Sequence, residues 1–131
     1  MSESEQFSES EQFVQRHIEM LLAGDLDQVM QDYLPDAVLR TRDEKFVGTE
    51  AVRRHLEEAL ASAPSESRLE YAVDTRADGQ VVLRWQLFVP DSAEPVMHGH
   101  DEFRIRDGRI AEQCVEIAGH LPANACAYDS V

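Results

Sequence analysis

The chain has 131 residues, enough for one domain around a single core and too few for two. Hydrophobic residues make up 43% and charged residues 29%, the balance of an ordinary soluble globular protein. Against 26 Asp and Glu stand only 12 Lys and Arg, a formal charge of −14 that argues against a nucleic-acid footprint or an anionic membrane surface as partner, since both need a basic patch.

Residues 2–7 and 8–13 repeat the hexamer SESEQF, and each copy contains a Ser-x-x-Glu capping box (Ser2/Glu5 and Ser8/Glu11). The expectation is a helix that starts at the second copy, with residues 1–10 a flexible N-terminal duplication. The acidic start does not resemble a secretory signal. Phe13, Val14, Ile18, Leu21 and Leu22 then follow helical spacing, with His17 on the same stripe. Gly24 ends this helix and Asp25 caps a second, whose inner face is expected to be Leu26, Val29, Met30, Tyr33 and Leu34 before Pro35 stops it. Ala37 to Thr41 reads as a short strand, and Arg42 to Lys45 as a charged turn. Thr49 is expected to cap a third helix that turns Val52, Leu56, Ala59, Leu60 and Ala63 inward.

After Pro64 the period changes from helical to two. Strands are expected over Arg68 to Arg76, Gln80 to Val89, Val96 to Arg106 and Arg109 to Ala118. Asp78-Gly79 and Asp107-Gly108 are hairpin turns, because both central positions of a type I′ turn need positive φ. Three helices followed by a meander of long strands imply an α+β fold: helices packed on a strongly curved, mostly antiparallel sheet, forming a cone with an internal pocket. No apolar run approaches the roughly 20 residues of a membrane span. Cys114 and Cys126 form no CxxC motif and read as free thiols of a reducing cytoplasm, with a disulfide as the alternative. The tail from 119 to 131 has no periodicity and could be disordered, lie over the pocket mouth, or swap onto a partner.

The stretch from Met97 to Ile110 carries the chemistry. Counting by twos, Met97, Gly99, Asp101, Phe103 and Ile105 share one face, while His98, His100, Glu102, Arg104 and Arg106 share the other. An acid in phase with apolar residues must be paired, protonated or set at a cavity, because an isolated buried carboxylate is costly. Asp101 is therefore either a structural acid or a pocket acid.

Ala23-Gly24-Asp25-Leu26-Asp27, Tyr33-Leu34-Pro35-Asp36-Ala37-Val38 and Asp101-Glu102-Phe103-Arg104-Ile105, in this order, resemble the nuclear transport factor two-like (cystatin-like) superfamily. The nearest branches are the SnoaL-like polyketide cyclases and the ketosteroid isomerases, and the resemblance covers roughly residues 11 to 118. That scaffold carries isomerases, cyclases, dehydratases, hydrolases and inert binding modules alike. Among ketosteroid isomerases, Asp101 matches an Asp that is held protonated, and His17 stands where the helix-one Tyr would be. The general base of that family falls at Thr41, whose neutral hydroxyl cannot abstract a proton as a carboxylate does, so steroid isomerisation by that mechanism is not expected. Gly99 replaces the Arg of the limonene-epoxide hydrolase branch, and Gln113 follows Glu112 where many SnoaL-like proteins carry a pocket His.

The resemblance thus points Asp101 and His17 into one cavity as an acid–base dyad, or as a structural pair. Tyr33, Trp85, Met97, Phe103 and Val115 would wall the substrate site, and Thr41 and Gln113 would orient polar groups. His98 and His100 lie on the outer face, without the further acid and His of a metal motif, so neither a metal nor another cofactor is expected. In this superfamily that face often pairs two subunits, which implies a homodimer. The expected function is a small-molecule pocket protein acting on a hydrophobic organic substrate, either as a cofactor-free acid–base enzyme or as a non-catalytic ligand-binding or dimerisation module.

Overall fold

A computed structural model describes residues 9–64, 66–76 and 79–118. The first copy of the hexamer and the tail after 118 lie outside the described residues. In chain order the elements are α1 (Glu9–Leu22), α2 (Leu26–Met30), β1 (Tyr33–Arg40), β2 (Lys45–Val47), α3 (Thr49–Ser62), β3 (Arg68–Thr75), β4 (Val81–Phe88), β5 (Met97–Arg106) and β6 (Arg109–Ala118).

α1 buries Val14, His17 and Ile18, the expected stripe. It closes in a Schellman turn: Gly24 takes φ +81°, its N–H donates to Leu21 O, and Asp25 N–H donates to Met20 O at 3.0 Å. The Asp25 carboxylate then accepts from Gln28 N–H and starts α2.

Here the chain departs from the helical reading, because α2 stops at Met30 and Tyr33 and Leu34 belong to β1. A helix of five residues has little cooperativity of its own, and pairing with β6 captures the chain instead. Ile110 N–H donates to Asp32 O at 2.7 Å, and Tyr33 sits beside Ile110 in a parallel ladder. Pro35 falls where the β1–β6 register shifts between Tyr33 and Val38, so its missing N–H costs no regular ladder bond. Gly48, with φ +89°, holds the N-cap position of α3, and Thr49 is the first helical residue rather than the cap. Lys45–Val47 pairs with β1 as a short edge strand where a turn was expected to end.

The four long strands of the second half form where the two-residue period placed them. Asp107 and Gly108 both take positive φ, +56° and +76°, as the type I′ hairpin requires. Asp78 of the other hairpin lies outside the described residues.

The six strands run in the order β2-β1-β6-β5-β4-β3, parallel between β1 and β6 and antiparallel elsewhere. The α+β class stands, but the expected cone does not. The sheet ends on two edges, three-residue β2 and β3, that do not pair with each other, so it is open rather than closed or strongly curled. Closure needs tilted strands whose hydrogen bonds run right round, and β2 is too short to carry them to β3. Between helices and sheet, Phe103, Leu39, Leu83, Val81, Val14, Val29 and Val52 form one core, each side chain contributing about 1.5–3 kcal/mol by burial.

Cys114 is also corrected. It is 1% exposed and disulfide-bonded rather than a free thiol, while Cys126 lies outside the described residues.

Candidate functional site

Strand register sets which side chains meet beneath the helices. Thr75, Val81, Phe103, Gln113, Leu39 and Phe46 are cross-strand partners in one continuous rung. The next rung is Val73, Leu83, Asp101 and Val115, and beyond it come Tyr71, Trp85, Gly99 and Ile117, then Leu69, Leu87 and Met97. Asp101 therefore stands between Leu83 and Val115 on the apolar face, in the phase its sequence position implies.

Six polar side chains join across this face. His17 Nδ1 lies 2.8 Å from Asp32 Oδ2, and His17 Nε2 lies 3.4 Å from the Tyr33 hydroxyl. The Tyr33 hydroxyl donates to Gln113 Oε1 at 2.5 Å, and Gln113 Nε2 donates to Asp101 Oδ2 at 2.8 Å. Trp85 Nε1 donates to Asp101 Oδ1 at 3.0 Å. The result is one chain, Asp32–His17–Tyr33–Gln113–Asp101–Trp85. His17 is 2% exposed and Asp101 9%, so most of its polar atoms find partners in one another rather than in water. The rings of Tyr33 and Phe103 stand edge-on to the imidazole, with centroids 5.4 and 6.0 Å away, and leave it little freedom to turn.

Electrostatics follows from this burial. Loss of solvent pushes the Asp101 carboxyl above the ordinary aspartate range, while the Gln113 and Trp85 hydrogen bonds and the nearby His100 and His17 pull the other way. Burial raises the Tyr33 phenol well above its usual value, and the Asp101 and Asp32 carboxylates add to the rise. Tyr33 is thus a neutral hydrogen-bonding group.

The structure brings five of the residues singled out in the sequence into direct contact: His17, Tyr33, Gln113, Asp101 and Trp85. Phe103 packs on His17, Val115 stands opposite Asp101, and Met97 is two rungs away. Thr41 is not brought to them. It follows the end of β1, and its hydroxyl accepts from Glu44 N–H at 3.2 Å to close a turn. Asp32 is the member that sequence reasoning missed. Its only signal is an acid next to Tyr33 in the junction between α2 and β1, and its pairing with a residue 15 positions away depends on tertiary structure.

Solvent access increases along the face. Phe103 and Gln113 are buried, whereas Leu69, Tyr71, Trp85, Leu87, Met97 and Ile117 are all half-buried. These six make an apolar tract that begins beside Asp101 and runs toward the Met97 end of β5. Two cavities among the described residues lie elsewhere. One, about 630 Å³, crosses the outer sheet face at Glu70, Arg84, His98, His100 and Glu116 and reaches Trp85 and Gly99. The other, about 290 Å³, lies between Asp36, Arg104, Arg106 and Glu112. Neither is lined by a helix, and the cone-shaped pocket expected from the sequence is corrected by the open sheet.

On the outer face His100 Nε2 is 3.3 Å from both Glu102 and Glu116, and Arg76 also reaches Glu102. Among the described residues no group of three or more His, Cys, Asp and Glu is arranged to hold a metal ion.

Residues 14–113 match the profile of the SnoaL-like domain, and the chain belongs to that family. The resemblance read from the sequence is borne out. Solved structures with the same fold include a candidate polyketide cyclase from Sinorhizobium meliloti, 23% identical, covering 79% of this chain and 93% of its own, with a TM-score of 0.65. A candidate ketosteroid isomerase from Kribbella flavida is 14% identical over 82% of this chain and 76% of its own, at 0.65. The epoxide hydrolase/cyclase-like enzyme SalBIII, of pyran ring formation in the polyether salinomycin, is 16% identical over 82% and 88%, also at 0.65. At these identities the likeness is one of fold. No curated protein matches the chain.

Proposed function

We propose that this SnoaL-like protein binds a small hydrophobic organic molecule on the apolar tract beside Trp85 and acts on it as a cofactor-free acid–base enzyme of the isomerase, cyclase, dehydratase or hydrolase type. The observation that carries the reading is the buried chain from Asp32 to Trp85, which ends at an acid where the tract begins. The relatives named as cyclases and isomerases support the reaction class.

Asp101 is the proton donor or acceptor of this reading. Burial keeps its neutral form in reach at higher pH than for an ordinary aspartate, so it can donate to a ligand oxygen, and once ionised it can accept a proton. A ligand oxygen reaches Asp101 by taking the place of the Trp85 N–H on Oδ1. Tyr33 and Gln113 connect the acid to His17, whose other ring nitrogen lies 2.8 Å from Asp32 Oδ2. Thr41 supplies no base, since its hydroxyl is bound in a turn.

A second reading is favoured by two observations: both Asp101 oxygens already have protein donors, and neither of the two cavities touches His17, Tyr33, Gln113 or Asp101. On it the chain is a non-catalytic ligand-binding module, or a homodimerisation module that pairs through the outer sheet face.

The test is a thermal-shift screen of cyclic ketones, lactones and epoxides on the wild type and Asp101→Asn, with turnover followed by mass spectrometry for any binder. A ligand at 100 times its Kd stabilises by about 2.7 kcal/mol. The proposal expects a shift in the wild type that Asp101→Asn loses, together with chemical conversion. Binding that is indifferent to Asp101, without conversion, selects the second reading.

A further inference from the structure

The chain of hydrogen bonds has a direction, and its donors can be counted. Trp85 Nε1 can only donate, so Asp101 Oδ1 accepts. Gln113 Nε2 donates to Asp101 Oδ2, so each carboxyl oxygen faces a donor and a proton on either would have no acceptor, and Gln113 Oε1 then faces Tyr33. Tyr33 has one proton and spends it on Gln113, leaving only lone pairs toward His17 Nε2. With Nδ1–H directed at the Asp32 carboxylate, a bond from Nε2 to Tyr33 requires a second ring proton. In this arrangement His17 is an imidazolium and Asp101 a carboxylate.

Turning the Gln113 amide over reverses the three bonds between His17 and Asp101, while the end bonds to Asp32 and from Trp85 keep their direction. The two ends of an amide are nearly the same size, so heavy-atom distances barely change. The amide N–H now donates to Tyr33 oxygen, Tyr33 O–H donates to a bare His17 Nε2, and Gln113 Oε1 accepts from a protonated Asp101. Both arrangements hold the same number of protons, one having moved from His17 Nε2 to Asp101. Either of the other two occupancies leaves a clash: with both sites protonated two donors face each other, and with both bare two lone pairs do. Each costs a buried hydrogen bond.

We infer that the Gln113 side-chain amide is a two-position switch that lets His17 and Asp101 share one proton, so that a proton on one excludes a proton on the other. Gln113 is a positioning residue here: it carries no proton itself and sets which end holds it. Among the described residues, the charged and titratable groups around the unit are Asp32 beside His17, Tyr33 between the ends, and His100 beyond Asp101, while β4 contributes the Trp85 donor. Loss of solvent on Asp101 lowers the cost of its neutral form, which keeps the second arrangement within reach. The inference concerns the free protein and does not depend on the ligand reading, so either can fail alone.

The test follows the His17 ring nitrogens by two-bond proton–nitrogen correlation over the pH range in which the fold persists, in wild type, Asp101→Asn, Gln113→Met and the double variant. An Asn at 101 accepts from Trp85 and donates to Gln113, which forces the reversed amide and a bare Nε2. The expected result is that Asp101→Asn moves the Nε2 signal toward the unprotonated form in the wild-type background and has no effect in the Gln113→Met background. An equal effect in both backgrounds would mean that the charge of Asp101 acts directly through space, and the inference falls; so it does if Asp101→Asn leaves the ring unchanged. A second readout needs no change at Gln113. Contacts from its amide protons should pass from Trp85 and residue 101 to the Tyr33 ring in Asp101→Asn, and amide protons that stay put overturn the switch.

Discussion

Tyr33→Phe removes one oxygen from the centre of the buried chain and leaves the ring that packs on His17. The apolar burial of the side chain is essentially unchanged, so the cost comes from the polar atoms left behind. Gln113 Oε1 loses its donor and His17 Nε2 loses its contact, both in a setting that water does not enter freely. A buried polar atom without a partner costs about 1–3 kcal/mol. The 3.4 Å contact to His17 is long and belongs at the low end, so the sum is about 2–4 kcal/mol. Against a total stability of about 5–15 kcal/mol this is a large fraction. At about 4 °C per kcal/mol for a domain of this size, Tm should fall by roughly 8–16 °C. The assay is urea unfolding followed by circular dichroism, with Tyr71→Phe as control. The Tyr71 hydroxyl donates to Glu19 at 3.3 Å in a solvent-exposed bond, and its loss should cost no more than about 0.5 kcal/mol. A Tyr33→Phe protein within about 0.5 kcal/mol of wild type, with an unchanged urea slope, would refute the claim that these atoms depend on one another.

The raised Asp101 carboxyl has a consequence in pH. Below the ordinary aspartate value of about 3.9, Asp101 is neutral in folded and unfolded chain alike and its contribution to stability is complete. As pH rises toward its higher folded value the unfolded chain ionises first, and that contribution is lost. The stability of wild type minus that of Asp101→Asn should therefore decline with rising pH across this window and level off above it. A difference that increases with pH there contradicts the assignment. Gly99 predicts a second effect: a Cβ at this position would lie 2.2 Å from Glu116 O and 2.9 Å from the Trp85 ring. Gly99→Ala should destabilise by at least about 1–3 kcal/mol. It should also shift the emission of Trp85, the only tryptophan in the chain. Wild-type stability with unaltered emission would show that the close packing of Gly99 on Trp85 is not needed.

Much of the fold was legible because helix and strand periods are local. The α1 stripe, the four long strands and the Asp107-Gly108 turn all follow from residue spacing within a few positions. Tyr33 was not legible in the same way. Its spacing from Val29 and Met30 fits a helix, and only the ladder with Ile110 makes it a strand residue. The open sheet was missed for a related reason: a period of two says which face a residue takes but not which strands become edges. Within the site, Gln113 was noted as a departure from the family pattern, yet its place between Tyr33 and Asp101 needs β1 and β6 to lie side by side.

By itself the sequence determined the secondary structure of most of the chain, its SnoaL-like membership and the inward phase of Asp101. All of these are carried by residues near one another along the chain. The tertiary structure decided that the sheet stays open and that Asp32 joins His17. It also decided that Tyr33 and Gln113 stand between His17 and Asp101, so that the two do not meet directly. Those outcomes depend on strand order and on contacts between residues 15 to 80 positions apart, which no local pattern encodes and only the packed chain brings together.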